Sequence, residues 1–186
     1  MAKGATSGRS AGELRIPSVA DELAPIAREV HRLHESLKWS SQLQFEQMKL
    51  WRTMNILLGT PAAVLAAIAG GTGLASDGPA TVPSVLALVA AGFGAALTTL
   101  NPSRRVSQAQ ASANAYLELQ TQARQLLTID LIQTIATDAR EQLASLTVRR
   151  DEVNKTADPP GAYARWRAVR NLEAGGQAYE VDKIDA

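Results

Sequence analysis

Two histidines, His31 and His34, are the side chains in this sequence best suited to metal chemistry. They are three residues apart on a predicted helix, so the two imidazoles share a face with Glu35 as the nearest carboxylate. A stable metal site needs three or four ligands with a supporting second shell. This set falls short of that number, and we predict no metal site.

The glycine-rich segment Gly70-Gly71-Thr72-Gly73 has the composition of a phosphate-binding loop. Such a loop follows a strand and opens a helix, whereas this segment lies inside an apolar stretch. The chain has no cysteine, which excludes disulfides and thiolate metal ligands. Because no nucleophile–base pairing is readable either, we predict no catalytic residue, no cofactor site and no enzymatic activity.

Charged residues are unevenly distributed along the 186 residues. Lysine and arginine total 19 and aspartate and glutamate 18, so the net charge of +1 offers no basic surface for nucleic acid. Between Arg52 and Arg104 the only ionisable side chain is Asp77. This pattern predicts that the segment between Arg52 and Arg104 contacts membrane lipid, whereas the charged segments on either side of it do not.

Two apolar stretches in that segment, residues 54–75 and 82–100, are long enough to cross a bilayer. A spanning helix needs about 20 mostly apolar residues, and both stretches meet this length without a charge. Residues 76–81 have turn chemistry and predict a short connection between antiparallel helices. A buried hairpin in a soluble bundle is the alternative, but a core helix normally carries a polar face. We therefore predict a transmembrane hairpin.

Basic and aromatic residues flank the predicted hairpin at its open end. Positively charged flanks remain in the cytoplasm, so both termini are predicted to be cytoplasmic. The predicted cytoplasmic-side flank consists of Lys49, Trp51, Arg52, Arg104 and Arg105.

Small residues and hydroxyl groups are the candidate functional residues within the spans. Small residues four apart let helix backbones approach closely in lipid, either within the hairpin or between copies. The predicted packing residues are Gly70, Gly71, Gly73, Ala91, Gly92 and Gly94. A pore through these uncharged spans has a candidate polar lining of Thr60, Thr72, Ser84, Thr98 and Thr99. Each of these hydroxyls can equally bond to its own helix backbone.

Amphipathic helices are predicted on both sides of the hairpin, which gives an all-α membrane protein. After a disordered leader at residues 1–17, a cytoplasmic helix is predicted at 18–53, with Leu23, Leu33 and Leu37 on its apolar stripe. A long helix is predicted at 101–158, because this segment contains neither glycine nor proline after residue 102.

The apolar arc of that long helix widens near its middle through Leu127, Leu131 and Ile135. We call the helix predicted at 18–53 the first arm and the long helix the second arm. The first arm can cover only part of this apolar arc, so coiled-coil self-association is expected to cover the rest. Residues 159–186 are predicted to form a short basic helix and a polar tail. Arg165, Arg167, Arg170 and Trp166 on that helix suit anionic lipid, a partner or a solvated face.

Several short strings in the sequence occur in an order typical of one family. They are residues 45–51 leading to 57–61 (LLGTP), 66–71 (AAIAGG), 101–102 (NP) with 111–119 (ASANAYLEL), and 146–153 (LTVRRDEV) followed by 159–160 (PP) and 163–164 (YA). With the order of the helices, they resemble the SLATT domain, a two-transmembrane effector domain associated with bacterial nucleotide-signalling modules. The resemblance covers about residues 19–172.

This resemblance implies a membrane effector of a bacterial defence or conflict system, located in the inner membrane. Such domains are expected to oligomerise and to perforate or depolarise that membrane, which stops growth of the infected cell. The implied partners are further copies of the chain and a separate nucleotide-signal synthase or sensor protein. The residues alone leave open a second function, a non-conducting two-span scaffold that anchors a helical interaction module.

Overall fold

The computed structural model describes Leu14, Pro17, residues 19–75 and residues 81–173. These residues contain helices and no strand, so the predicted all-α class is confirmed for this part of the chain. In chain order the elements are α1 (Ala24–Ala75), α2 (Thr81–Leu100), α3 (Pro102–Thr128), a 3-10 turn (Asp130–Ile132), α4 (Ala136–Thr156) and α5 (Ala162–Glu173).

The chain divides into two compact units, which we call the arm unit and the hairpin unit. The arm unit comprises residues 1–44 and 111–186, and the hairpin unit comprises residues 45–110. Helices α1 and α3 therefore contribute residues to both units.

The core of the arm unit is formed by apolar stripes of α1, α3 and α4. The stripe predicted for the first arm is buried at Leu23, Leu33 and Leu37, and it packs with α3 and α4 in one cluster. Side chains that are 3% exposed or less in this cluster are Ala27, Val30, Leu37, Leu119, Ala123, Leu126, Leu127, Leu131 and Ala139.

Helices α3 and α4 are antiparallel, as their polar contacts show. The hydroxyl of Tyr116 donates a hydrogen bond to Oδ1 of Asn154, 2.7 Å away. Nearer the turn, the Arg149 guanidinium donates to Oε1 of Glu118 at 2.9 Å and to Oε1 of Gln122 at 2.6 Å. Residues later in α3 thus pair with residues earlier in α4.

The prediction of one unbroken helix over residues 101–158 is wrong. The chain leaves the helix after Thr128 and resumes it at Ala136, where Ile135 has extended backbone with ψ 156°. Five of the eight residues from 128 to 135 are β-branched, which lowers helix propensity. Folding back also buries Leu127 and Leu131 completely, which an isolated helix would leave in water.

The wide apolar arc of the second arm is therefore covered largely within the chain itself. Leu127 and Leu131 contact the arm-unit core, whereas Ile135 is 65% exposed. The arc consequently no longer requires a second copy of the chain to cover those two leucines.

Two boundaries near the N-terminus differ from the prediction. The helices predicted at 18–53 and 54–75 form one continuous helix, α1, which begins at Ala24 and not at residue 18. Of the predicted disordered leader, only Leu14 and Pro17 are described, and Nε2 of His31 donates a hydrogen bond to the Leu14 carbonyl at 2.9 Å. Leu14 also packs against the arm-unit core, so this leader residue is held in place. The rest of the leader, Ser18, residues 76–80 and the tail after residue 173 lie outside the described residues.

A tight junction joins α2 to α3 in the hairpin unit. Helix α2 agrees with the predicted second span, 82–100, to within one residue. Asn101 follows with a positive φ of 44°, a left-handed conformation that asparagine tolerates better than most residues. Pro102 then begins α3, where the missing backbone N–H has no helical partner to lose. The Asn101-Pro102 pair thus ends one helix and starts the next.

Candidate membrane hairpin

Most large apolar side chains of the two predicted spans are exposed. In the most apolar 18-residue stretch of each helix, only 6% of the residues are buried. The core helix of a soluble bundle is mostly buried. By length and composition the two helices are able to cross a membrane. The large apolar side chains that are at least 44% exposed on them are Ile56, Leu57, Val64, Ile68, Leu74, Val82, Val85, Leu88 and Val89.

An open apolar groove of about 870 Å³ runs between α1 and α2. Ten of its twelve lining residues are alanine or glycine, and the other two are Pro83 and Ser84. The groove exists because these side chains are too short to fill the space between the helices. Ala69 and Ala90 are the buried residues at its floor, with 7% and 8% exposure.

The predicted packing residues fall into two sets. A methyl group added at Gly73 would lie 3.8 Å from Cβ of Pro83, so α1 and α2 are close there. A methyl group added at Gly70, Gly71, Gly92 or Gly94 would meet no atom within 4 Å. Gly70 and Ala91 line the groove instead. The sequence missed a second close approach, at Gly59, where the added methyl would lie 3.8 Å from Cδ1 of Leu97.

Of the predicted polar lining residues, one lines the groove and the other four do not. Ser84 lines the groove, whereas Thr60 and Thr99 are exposed elsewhere on the spans. The hydroxyl of Thr72 donates to the Ile68 carbonyl at 2.7 Å, and that of Thr98 to the Ala95 carbonyl at 2.9 Å. Bonding to the preceding turn is common for threonine in apolar helices, because it satisfies the hydroxyl locally.

The predicted flank includes one contact that the sequence did not predict. The guanidinium of Arg105 lies 4.8 Å from the centroid of the Trp51 ring, a cation–π distance. Nε of Arg105 also donates to the Leu100 carbonyl at the end of α2, 3.2 Å away. This arginine therefore joins the last turn of α2 to a tryptophan of α1. Their separation of 54 residues hid the pair from any local spacing rule.

The other flank residues point to solvent or to near neighbours on their helix. Nζ of Lys49 pairs with the buried carboxylate of Glu46 at 2.7 Å, a spacing of three residues. Arg52 and Arg104 are exposed. Charged and aromatic groups thus follow one another in sequence at the open end of the hairpin.

The two histidines of the first arm engage in separate contacts. His31 binds the Leu14 carbonyl, and Nδ1 of the buried His34 lies 3.7 Å from Oε1 of Glu35. The neighbouring imidazole is the main cause that holds the pKa of Glu35 below its ordinary value. Within residues 19–75 and 81–173, no three His, Cys, Asp or Glu side chains are placed to hold a metal ion.

Comparison with protein-family models, curated proteins and solved structures finds no match to this chain. The resemblance to the SLATT domain accordingly stays a prediction from short sequence strings and helix order.

Proposed function

We propose that this chain is a membrane effector of a bacterial defence system, with its hairpin inserted in the inner membrane and both termini in the cytoplasm. Several hairpins associate and perforate or depolarise the membrane, which arrests growth or kills the cell. A separate nucleotide-signal synthase or sensor protein acts upstream as the partner. The observation that carries insertion and association is the open groove between two apolar helices, most of whose large side chains are exposed, and the defence role rests on the resemblance to the SLATT domain.

The outward faces of the hairpin favour lipid as their surroundings. Leu74 is 93% exposed and Leu88 is 74% exposed. In water, the contact of such apolar side chains with solvent would be energetically unfavourable. In hydrocarbon the same side chains carry no such penalty, and the helices satisfy their own backbone hydrogen bonds. The charged flank at Trp51 and Arg105 is suited to the lipid headgroup region.

The groove favours association between copies of the hairpin. In lipid, helices associate through close packing and not through the hydrophobic effect, so surfaces of alanine and glycine are preferred. The groove between α1 and α2 offers such a surface along both helices, including Ala66, Gly70, Ala87 and Ala91. A helix from a neighbouring copy therefore has a site where its backbone can approach closely.

Any pathway formed in this way would select weakly among ions. The described residues of α1 from Thr53 onward and of α2 carry no ionisable side chain that could act as a charged filter. Ser84 is the polar side chain that faces the groove. We therefore expect a loss of membrane potential and not a selective current.

Induced expression in bacteria carrying a voltage-sensitive dye tests this proposal. We expect a drop in membrane potential within the period of growth arrest, with the chain recovered in the membrane fraction. An unchanged potential in cells that have stopped growing, with the chain still in the membrane, would reject the pore. Recovery in the cytosol would reject membrane insertion itself.

A non-conducting membrane scaffold is the second candidate, and two observations favour it. Leu127 and Leu131 are covered within the arm unit, so this unit is folded without a second copy over them. The hydroxyls of Thr72 and Thr98 are bonded to their own helices and are not held ready to line a channel. Replacing residues 54–100 with an unrelated two-span hairpin distinguishes the candidates, because a scaffold retains its function and a pore loses it.

A further inference from the structure

Helix α5 is docked through a face of small side chains. Ala164 and Ala168 are four residues apart, lie on one face of the helix and are both fully buried. The preceding segment is also fixed, because Nε2 of Gln44 donates a hydrogen bond to the Asp158 carbonyl at 2.9 Å. This docking determines which face of α5 is left outward.

The outward face of α5 carries two large aromatic side chains. Tyr163 is 51% exposed and Trp166 is 52% exposed, and their ring centroids are 6.1 Å apart. The Arg170 guanidinium lies 4.9 Å from the centroid of the Trp166 ring. Aromatic rings with one polar edge, combined with arginine, are typical of side chains at the boundary between lipid and water.

The charge of this segment has a single sign. From residue 159 to residue 172 the sequence contains three arginines and no acidic residue. Arg165 and Arg170 are exposed, and Arg167 makes a further contact within the protein. Acidic residues return at Glu173 and, later in the sequence, at Glu180. The net charge of this face is therefore complementary to a negatively charged surface.

We propose that α5 binds the anionic phospholipid headgroups of the membrane into which the hairpin inserts. Arginine is attracted to the negative surface potential, while the rings of Tyr163 and Trp166 enter the headgroup region. A lipid surface is favoured over a soluble partner because the proposed hairpin keeps the chain at the membrane permanently, at high effective concentration.

The test uses the full chain reconstituted in vesicles of phosphatidylcholine alone or phosphatidylcholine mixed with phosphatidylglycerol. Trypsin cleavage after Arg167 is measured by mass spectrometry relative to cleavage after Lys155 on α4. We expect cleavage after Arg167 to be on the order of tenfold slower on the anionic vesicles, with the difference removed by high salt. Trp166 fluorescence, obtained by subtracting the Trp166→Phe variant, is expected to be quenched by brominated lipid on the anionic vesicles only.

The double variant R165Q/R170Q tests the patch and keeps the cleavage site at Arg167. We expect it to be cleaved equally fast on both kinds of vesicle. Its matched control is R28Q/R140Q, which removes two exposed positive charges from other helices of the same unit. The control is expected to retain the protection seen in the unaltered chain.

This inference rests on membrane insertion of the hairpin, and flotation of the vesicles separates the two. A chain that does not float with either kind of vesicle contradicts insertion. A chain that floats but is cleaved equally on both contradicts only the binding of α5 to lipid. Equal loss of protection in both double variants would assign the effect to total charge and overturn the proposal. Protection that arises only after cytosolic extract is added would assign the patch to a soluble partner and overturn it as well.

Discussion

Tyr116 provides a hydrogen bond across the interface of α3 and α4. Its ring is buried, and burial raises the pKa of its hydroxyl, which therefore stays protonated as a donor at neutral pH. Tyr116→Phe keeps the ring and removes the 2.7 Å hydrogen bond to Asn154. We expect it to lower the free energy of unfolding by about 1 kcal/mol, measured by thermal denaturation in detergent.

Tyr163→Phe is the matched control, because its side chain is half exposed on α5. We expect a change below about 0.5 kcal/mol for this variant. Equal effects of the two substitutions would show that the bond between Tyr116 and Asn154 does not stabilise the fold.

Glu35 makes the stability of the first arm depend on pH. The pKa of its carboxyl is lowered below the ordinary 4.5, mainly by His34. Burial raises this pKa, whereas the charges of Lys38 and His31 lower it further. Because the folded pKa is below the unfolded one, the stabilisation is present above pH 4.5 and is lost as the pH falls through the folded pKa. Glu35→Gln should therefore flatten the acid side of a profile of melting temperature against pH.

The control for this pH profile is Glu29→Gln on the same helix. Glu29 is exposed and pairs with Arg32 at 2.8 Å. Its variant should retain the slope of the unaltered chain below pH 5. If both variants flatten the profile alike, the effect belongs to general acid titration and not to the contact with His34.

The turn between α3 and α4 places neighbouring side chains in opposite environments. Leu131 is fully buried in the arm-unit core, and Ile132, the next residue, is 61% exposed. Leu131→Ala should lower the free energy of unfolding by about 2–4 kcal/mol, because it leaves a cavity. Ile132→Ala in the same turn should change it by less than about 0.5 kcal/mol. Chemical denaturation followed by circular dichroism measures both, and similar losses would place the turn outside the cooperative core.

At the scale of elements, the sequence predicts helices well and their breaks poorly. Uncharged apolar length and flanking turn residues located α2, whose ends agree with the prediction within one residue. The turn after Thr128 has neither glycine nor proline, so no strong local signal marks it. At the break, Leu127 and Leu131 are buried in one cluster with residues of α1 and α4, and helical periodicity contains no information on such long-range packing.

The groove of the hairpin could not be predicted from the sequence either. Spacing rules identified small residues as helix-packing candidates, and six of them were named. Spacing rules do not predict which small residues face the other helix and which face outward. This depends on how α1 and α2 are rotated about their axes. A methyl group added at Gly73 would meet Pro83 of the second span, whereas one added at Gly71 would meet nothing within 4 Å.

At the scale of the whole molecule, the groove makes association of hairpins testable with two adjacent residues. Ala66 lines the groove and Ala67 does not. Ala66→Leu places a large side chain in the space that a neighbouring helix would enter, whereas Ala67→Leu adds the same side chain outside it. We expect Ala66→Leu to reduce the oligomeric fraction about tenfold, measured by light scattering in detergent, and to abolish depolarisation.

The Ala67→Leu variant should retain both the oligomer and the depolarisation. Loss of association in both variants would indicate a general effect of bulk on the span. If both variants keep the oligomer, the copies associate through a surface other than the groove.

The abundance of alanine and glycine in the groove also affects how the protein is made. These residues contribute almost nothing to partition from the translocon into lipid, which depends on leucine, isoleucine, valine and phenylalanine. The first span also carries Asn55 and Pro61, so its own tendency to leave the translocon is weak. The second span emerges from the ribosome soon afterwards, because only a short segment separates the two. We therefore expect the first helix to be retained at the translocon until its partner arrives, so that the pair enters the bilayer together during synthesis.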